Sequence, residues 1–586
     1  MSKPLYFGPS ASPMLGWFHA PESPARDVGI VVCPPVGIEY PCSYHMLRVL
    51  AGRLAAAGFP TLRFDYPGTG DSSGSDTDPD QVAGWLQSIG LAGEELKRRS
   101  GCRSISLVGT RLGGLLAFHA AAGRSDVASV VSWWGVGSGR KYVRNLRLYG
   151  MAATGSGEVA AGGQVESGGY QLSAETLEDL GRLDSASVSP PTGAGLLFIQ
   201  RDDQPLDEGL VARLTGQGYQ AESWRRAGIE CIAHTPHEST VPVALQEEIV
   251  GWLAARHPGA LTGEARIDPE PPDGGVTVLA RAGIPFHEAT IRESVVRLGD
   301  GLIGVVSETD ANGPPTTGII LLPGSSGHRV GTHRISVPMS REWAARGYLT
   351  MRFELGGNGD SQAPPDAAEN QPFPAHAADN IRAAVQALRA RYRLESVVVI
   401  GHCAGAWASY RAAVADAGAD EYLLLNWTNF YPTAEGNRVR DDVVNYRQAE
   451  RLKGSVTSWE KWRRLLTGQT SPIAVAGIVV RRAWAVAART IRPGGGRLDT
   501  DPGIGPELAA IVGRSRFTLV FSHALGPSYL RMRSGHLMDR MDQNPNFTMI
   551  SLTSGDAGFG TEAVRRQLFT TLRDHLARRY PIADRP

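Results

Sequence analysis

Cys403 stands in "VVVIGHCAGAW", between Gly401 and Gly405, after a run that reads as a buried strand and before one that reads as a helix. A strand, a G-x-?-x-G box and a helix form the frame of a nucleophile elbow, whose central residue attacks the substrate. A thiol there suits acyl chemistry. A helix N-terminus favours the thiolate, and a thiolate forms a thioester that exchanges with other thioesters or amines. The other reading is a structural cysteine, since free Cys is among the most buried residue types. The same frame occurs earlier in "SISLVGTRLGGLLAFHAAAG", with Gly109 and Gly113 in place and Arg111 at the centre. A guanidinium is a permanent cation and no nucleophile. It would open a helix beside backbone N–H groups and make an anion site for a carboxylate or phosphate, or sit in a dead site salt-bridged to Asp202.

The scaffold around these residues is written twice. "PTLRFDYPGTGDSSG" recurs as "LTMRFELGGNGDSQA", and "SISLVGTRLGG" matches "SVVVIGHCAGA". The two elbows lie 292 positions apart and the two R-F-[DE] phrases 289. One nearly constant offset points to a tandem duplication. Each copy alternates short apolar runs with helices, which predicts α/β architecture with mostly parallel sheets covered on both faces. In the first copy the last strand is expected at "IECIAH". The Pro/Gly-rich, acidic stretch 259–283 reads as a linker between domains 1–258 and 284–586. An insertion at about 431–510 is long enough for a helical cap, or for a packing appendage at the interdomain seam.

At 586 residues the chain is too long for one core. Lys plus Arg equal Asp plus Glu at 59 each, so no global field points to nucleic acid. Five scattered cysteines show no zinc or disulfide spacing, and no cofactor or metal is expected. They fit a reducing cytoplasm. The most apolar helical candidate carries Arg481 and Arg482 at its middle, so no membrane span is expected, and oligomeric state is not readable.

With both elbows placed, the chain resembles two fused α/β-hydrolase domains. "CPPVGIEY…AGFPTLRFDYPGTGDSSG" and "GHRVGTHR…ARGYLTMRFELGGNGDS" are similar to bacterial hydrolases associated with exosortase systems and to relatives near secondary-metabolite genes. Some of those relatives carry an arginine at the elbow and others a cysteine. The resemblance implies where partners should lie. In the first copy the acid follows "GLLFIQRD", at Asp202 or Asp203, and the base follows "IAHTPHES", at His234 or His237. In the second copy Leu525 and Ala557 stand about where acid and base belong. His523 lies in the acid loop and Asp556 in the histidine loop, which allows an exchanged triad with His523 as base to Cys403 and Asp556 orienting it. Otherwise Cys403 acts with His402, with a cap residue, or not at all.

The oxyanion hole would combine the N–H of Ala404 with one from Ser325 or Ser326. The adjoining "GHRVGTHR" gathers His328, Arg329, His333 and Arg334. It reads as a receptor for the phosphates of coenzyme A or a phosphopantetheinyl arm, or as a solvated turn and helix start. The expectation is an enzyme that takes an acyl group onto Cys403 from a thioester or activated ester, the acyl group carried on coenzyme A or an acyl carrier protein. The competing reading is a tandem pseudo-hydrolase that binds a ligand or partner enzyme.

Overall fold

The computed structural model describes residues 2–22, 24–154, 164–167, 169–203, 208–232, 235–260, 276–299, 301–309, 313–324, 327–427, 504–522, 525–534, 536–553 and 558–582. Two large sheets carry these residues, and the nine-stranded second repeats the strand order of the eight-stranded first behind one extra leading strand. Across the first lie β1 (Ser2–Phe7), β2 (Met14–His19), β4 (Thr61–Phe64), β3 (Val28–Cys33), β5 (Ser104–Thr110), β6 (Val127–Trp133), β9 (Gly195–Arg201) and β10 (Gln220–Arg226). A separate hairpin joins β7 (Val165–Ser167) to β8 (Tyr170–Leu172). The second sheet runs β11 (Val276–Phe286), β12 (Ala289–Leu298), β13 (Leu302–Glu308), β15 (Leu349–Phe353), β14 (Thr317–Leu322), β16 (Ser396–His402), β17 (Glu421–Leu425), β18 (Arg516–Phe521) and β19 (Phe547–Ser551). In both, the leading strands pair antiparallel and the remainder parallel.

Neighbouring residues of the central strands serve opposite faces, as the pleat requires. Leu107 packs with Leu116 on one face of the first sheet, and Val108 with Leu253 on the other. In the second sheet Val399 joins Tyr410, while Ile400 joins Leu572. Helices cover both faces, so the central strands read as unbroken apolar runs.

Two expectations are corrected. The described part of "IECIAH" is not a strand: Ile229–Cys231 is a single 3-10 turn, and Ile232 is buried in the core. The edge strand is β10, whose sequence QAESWRR lacks an apolar run because most of it faces solvent. The stretch 259–283 is also not all linker. Arg26 pairs with Ala260 at the end of the first half, and the second sheet already begins at Val276. Most of the span 431–510 lies outside the described residues, which hold only its final helix, Ile504–Val512.

The halves meet where β2 packs on β12 and β13, through Leu15, Trp17, Val295, Ile303 and Val305. The recurring R-F-[DE]…G-D-S phrases face one another across this seam. Arg63 pairs with Asp360 of the second half, and Arg352 reaches back to Asp71 of the first at 3.0 Å. Each phrase also closes on itself in the same way. Asp65 accepts the N–H of Asp71 at 2.9 Å, and Glu354 accepts that of Asp360 at 2.8 Å. Such reciprocity is the mark of an isologous contact, here within one chain.

Candidate active site

Cys403 sits on a sharp turn at φ 52°, ψ −110°, between β16 and the helix Ala404–Val414. A side chain with a Cβ is strained there by about 1–3 kcal/mol, a cost the surrounding structure must impose. The turn is held by the Cys403 N–H donating to the Leu425 carbonyl at 3.2 Å. The flanking glycines let helix and strand touch. A Cβ on Gly401 would lie 2.1 Å from the Gly405 carbonyl oxygen, and one on Gly405 only 2.5 Å from that of Pro323. The G-x-?-x-G frame is thus a packing requirement whatever its central residue.

The thiol residue is exposed. Cys33, Cys42 and Cys102 are buried, and burial raises all three thiols, that of Cys42 to about 12. Ala404 opens the helix directly after the thiol, as an oxyanion donor requires. The loop after β14 starts against the elbow: a Cβ on Gly324 would lie 3.1 Å from Cys403 Cβ and 3.3 Å from His402 Nδ1. Ser325 and Ser326, which continue that loop, lie outside the described residues, as do His234, His523, Asp556 and Ala557. The strand before His523 ends at Phe521, and the buried Ser522 donates its N–H to the Asn426 side chain at 2.8 Å. The buried His402 ring packs 5.1 Å from Phe559.

The first elbow keeps the same backbone, with Arg111 at φ 55°, ψ −123° and its N–H on the Trp133 carbonyl at 3.1 Å. Its guanidinium does not bridge to Asp202. It pairs through Nε with Glu39 at 2.7 Å and donates to the Trp134 carbonyl at 3.1 Å. Glu39 opens the helix Glu39–Ala56 beside the elbow, so it reaches Arg111 before the strand-end acid can. Asp202 is exposed, and its carbonyl takes the Arg225 guanidinium at 3.1 Å. His237 lies half-buried in the turn Pro236–Glu238, with Nδ1 3.0 Å from Thr235 Oγ1.

A cavity of about 460 Å³ stands over Arg111 and Leu112. Tyr142 and Leu146 of the helix Gly139–Thr154 and Tyr170 and Leu172 of β8 line it from the insertion after β6. Val330 and Arg334 complete it from the second half. Neither Asp202 nor His237 borders it.

His328 and Arg329 form no open phosphate cluster. Arg329 is fully buried at the seam, against Asp71 at 2.7 Å, Asp360 at 2.8 Å and Glu354 at 3.0 Å. His328 stacks on Tyr44 with ring centroids 4.0 Å apart, and burial and the neighbouring Arg329 pull it down to about 3, so it stays neutral. His333 packs edge-on to Tyr170, and Arg334 donates to the Gly70, Ser72 and Gly74 carbonyls at 2.7–2.9 Å. The cations serve the seam because the facing phrase presents carboxylates and carbonyls at that depth. Sequence reasoning missed Glu39 and the seam acids Asp71, Glu293, Glu354 and Asp360. For Asp71, Glu354 and Asp360 the signal was the charge inside the repeated phrases; Glu39 and Glu293 lie outside them.

Matching strand orders, helices on both faces and a strained elbow at the end of each central strand define two fused α/β-hydrolase-fold domains. No family model matches the sequence, and a comparison with curated proteins finds no match. Among solved structures the chain is similar to Est1E from Butyrivibrio proteoclasticus, at 16% identity over 43% of this chain and 98% of that one, with a TM-score of 0.33. It is similar to XC6422 from Xanthomonas campestris, titled an a/b serine hydrolase without lid, at 16% identity over 44% and 93%, TM-score 0.29. It is also similar to the alpha/beta hydrolase GrgF from Penicillium sp. sh18, at 14% identity over 44% and 99%, TM-score 0.33. Among the described residues no helix is long and apolar enough to cross a membrane, and no cluster of His, Cys, Asp and Glu is arranged to hold a metal.

Proposed function

We propose that the protein is an acyl-transfer or hydrolytic enzyme with Cys403 as covalent nucleophile. The observation that carries this reading is an exposed thiol on a left-handed elbow at a helix start. The Cys403 sulfur, as thiolate, attacks the carbonyl carbon of a thioester or activated ester. A C–S bond forms, and the bond to the leaving thiol or alcohol breaks and takes up the proton lost by Cys403. Water or an amine then attacks the enzyme thioester, breaking the C–S bond and returning the thiolate, while the proton shed by the attacking group passes to solvent. The Ala404 N–H, with one from the Ser325–Ser326 loop, would receive the carbonyl oxygen. His523 as base and Asp556 as its orienting acid remain part of this proposal, as do an acyl donor on coenzyme A or a carrier protein, a role in secondary metabolism and an origin by tandem duplication.

Incubation with an activated acetyl ester such as p-nitrophenyl acetate tests the reading by intact mass. One acetyl group should appear on the protein and vanish in Cys403→Ala. Iodoacetamide should likewise label Cys403 well before the four other cysteines. Unaltered turnover in Cys403→Ala would remove Cys403 as the nucleophile, and the absence of both turnover and adduct in the parent would leave a ligand-binding pseudo-hydrolase.

A further inference from the structure

We infer that the cavity over the Arg111 elbow binds a largely apolar, uncharged molecule carrying hydroxyl groups, at a site separate from the Cys403 thiol. Its volume of about 460 Å³ lies within the range of about 300–1,000 Å³ typical of small-molecule pockets. Leu112, Tyr142, Leu146, Leu172 and Ile229 give it apolar walls. Loosely held water against such walls is displaced favourably by apolar atoms.

Three of the lining residues carry oxygens that call for a more specific occupant. Glu39 Oε2, Gln81 Oε1 and the Tyr170 hydroxyl are buried atoms without a hydrogen-bond partner among the described residues. Gln81 is only 5% exposed, and its amide nitrogen is anchored on the Ser75 carbonyl at 2.5 Å, which leaves the oxygen in want of a donor. The other oxygen of Glu39 already holds Arg111 at 2.7 Å. Two acceptors fixed in this way select O–H or N–H groups.

Charge selects a neutral ligand. Arg111 is matched by Glu39 and Arg201 by Asp203, while Arg334 donates its guanidinium N–H groups to the Gly70, Ser72 and Gly74 carbonyls. An added carboxylate would find its best cation already paired. Both halves shape the site: Tyr170 stands edge-on to His333, and the hairpin that carries it is tied to the C-terminal helix by Glu166–Arg565 at 3.0 Å and Gln171–Glu562 at 2.9 Å.

The test is calorimetric titration of the full chain, in the Cys403→Ala background, with dodecanediol bearing a hydroxyl at each end, and in parallel with dodecanol and dodecanoate. One diol per chain should bind, more tightly than either comparison molecule. Tyr170→Phe removes a hydroxyl that no described residue uses, so it should leave the melting temperature of the empty protein unlowered while weakening the diol about fivefold. Leu146→Trp should fill the cavity and abolish binding. No saturable binding of the diol, tighter binding of dodecanoate, or affinity unchanged in both variants would overturn the inference.

Discussion

Asp65 shows how one carboxyl is bent to the needs of the seam. Burial, with Asp71 close by, pushes it up to about 6 although Tyr40 donates to it at 2.5 Å. Its unfolded value is about 3.9, so between those two values the folded chain binds the extra proton. This group therefore favours the folded state at low pH, and that contribution falls as pH rises from about 4 to about 6. Urea titrations at pH 4 and pH 7 should show Asp65→Asn gaining up to about 3 kcal/mol relative to the parent across that interval. An unchanged difference at the two pH values would mean that Asp65 is ionised throughout. Asp360 behaves oppositely: burial alone would raise it, but Arg63 and Arg329 outweigh burial and hold it below the usual carboxylate range.

The elbow is the element that both halves keep, and its conservation between them is steric. Gly113 repeats the constraint at Gly405: a Cβ there would lie 2.3 Å from the Cys33 carbonyl oxygen. Gly113→Ala and Gly405→Ala should each cost about 3 kcal/mol in urea unfolding, because a backbone carbonyl cannot swing aside as a side chain can. The two elbows should suffer alike, although one carries a thiol and the other a guanidinium. A loss confined to Gly405→Ala would tie the frame to chemistry rather than to packing. The Glu39–Arg111 pair belongs to this scale too, since a helix start beside the turn supplies the partner that a strand-end acid was expected to supply.

The whole molecule is organised by its seam. Arg329, Arg352, Asp71, Glu293 and Glu354 are fully buried; Arg329 and Arg352 pair with Glu354 and Glu293 inside the second half, and Asp71 of the first half meets its two arginines only across the seam. Removing one member leaves unpaired charge in a dry interior, which typically costs 3–5 kcal/mol, whereas surface pairs such as Arg182–Glu178 cost little. The parent should unfold in a single transition, and Arg352→Met should destabilise it by about 3–5 kcal/mol and split that transition into two. One undisturbed transition would show that the apolar contact of Trp17 and Ile303 and the remaining seam pairs hold the halves together without Arg352.

Local rules made the parallel strands, the helices between them and both elbows legible, because buried runs and close-packed glycines leave periodic traces in a sequence. The edge strand β10 left no such trace, since a half-solvated strand needs no apolar run. Nor could spacing announce that Glu39 would hold Arg111, or that the repeated phrases would face one another. Those pairings join residues 72 and about 300 positions apart, and they arise only when two sheets dock and bring their charges out of water together. The amino-acid order by itself determined the architecture and the place of Cys403 on it. The tertiary structure alone decided that "GHRVGTHR" would build an interface rather than receive phosphate, and that the enclosed space would form over the elbow without a nucleophile.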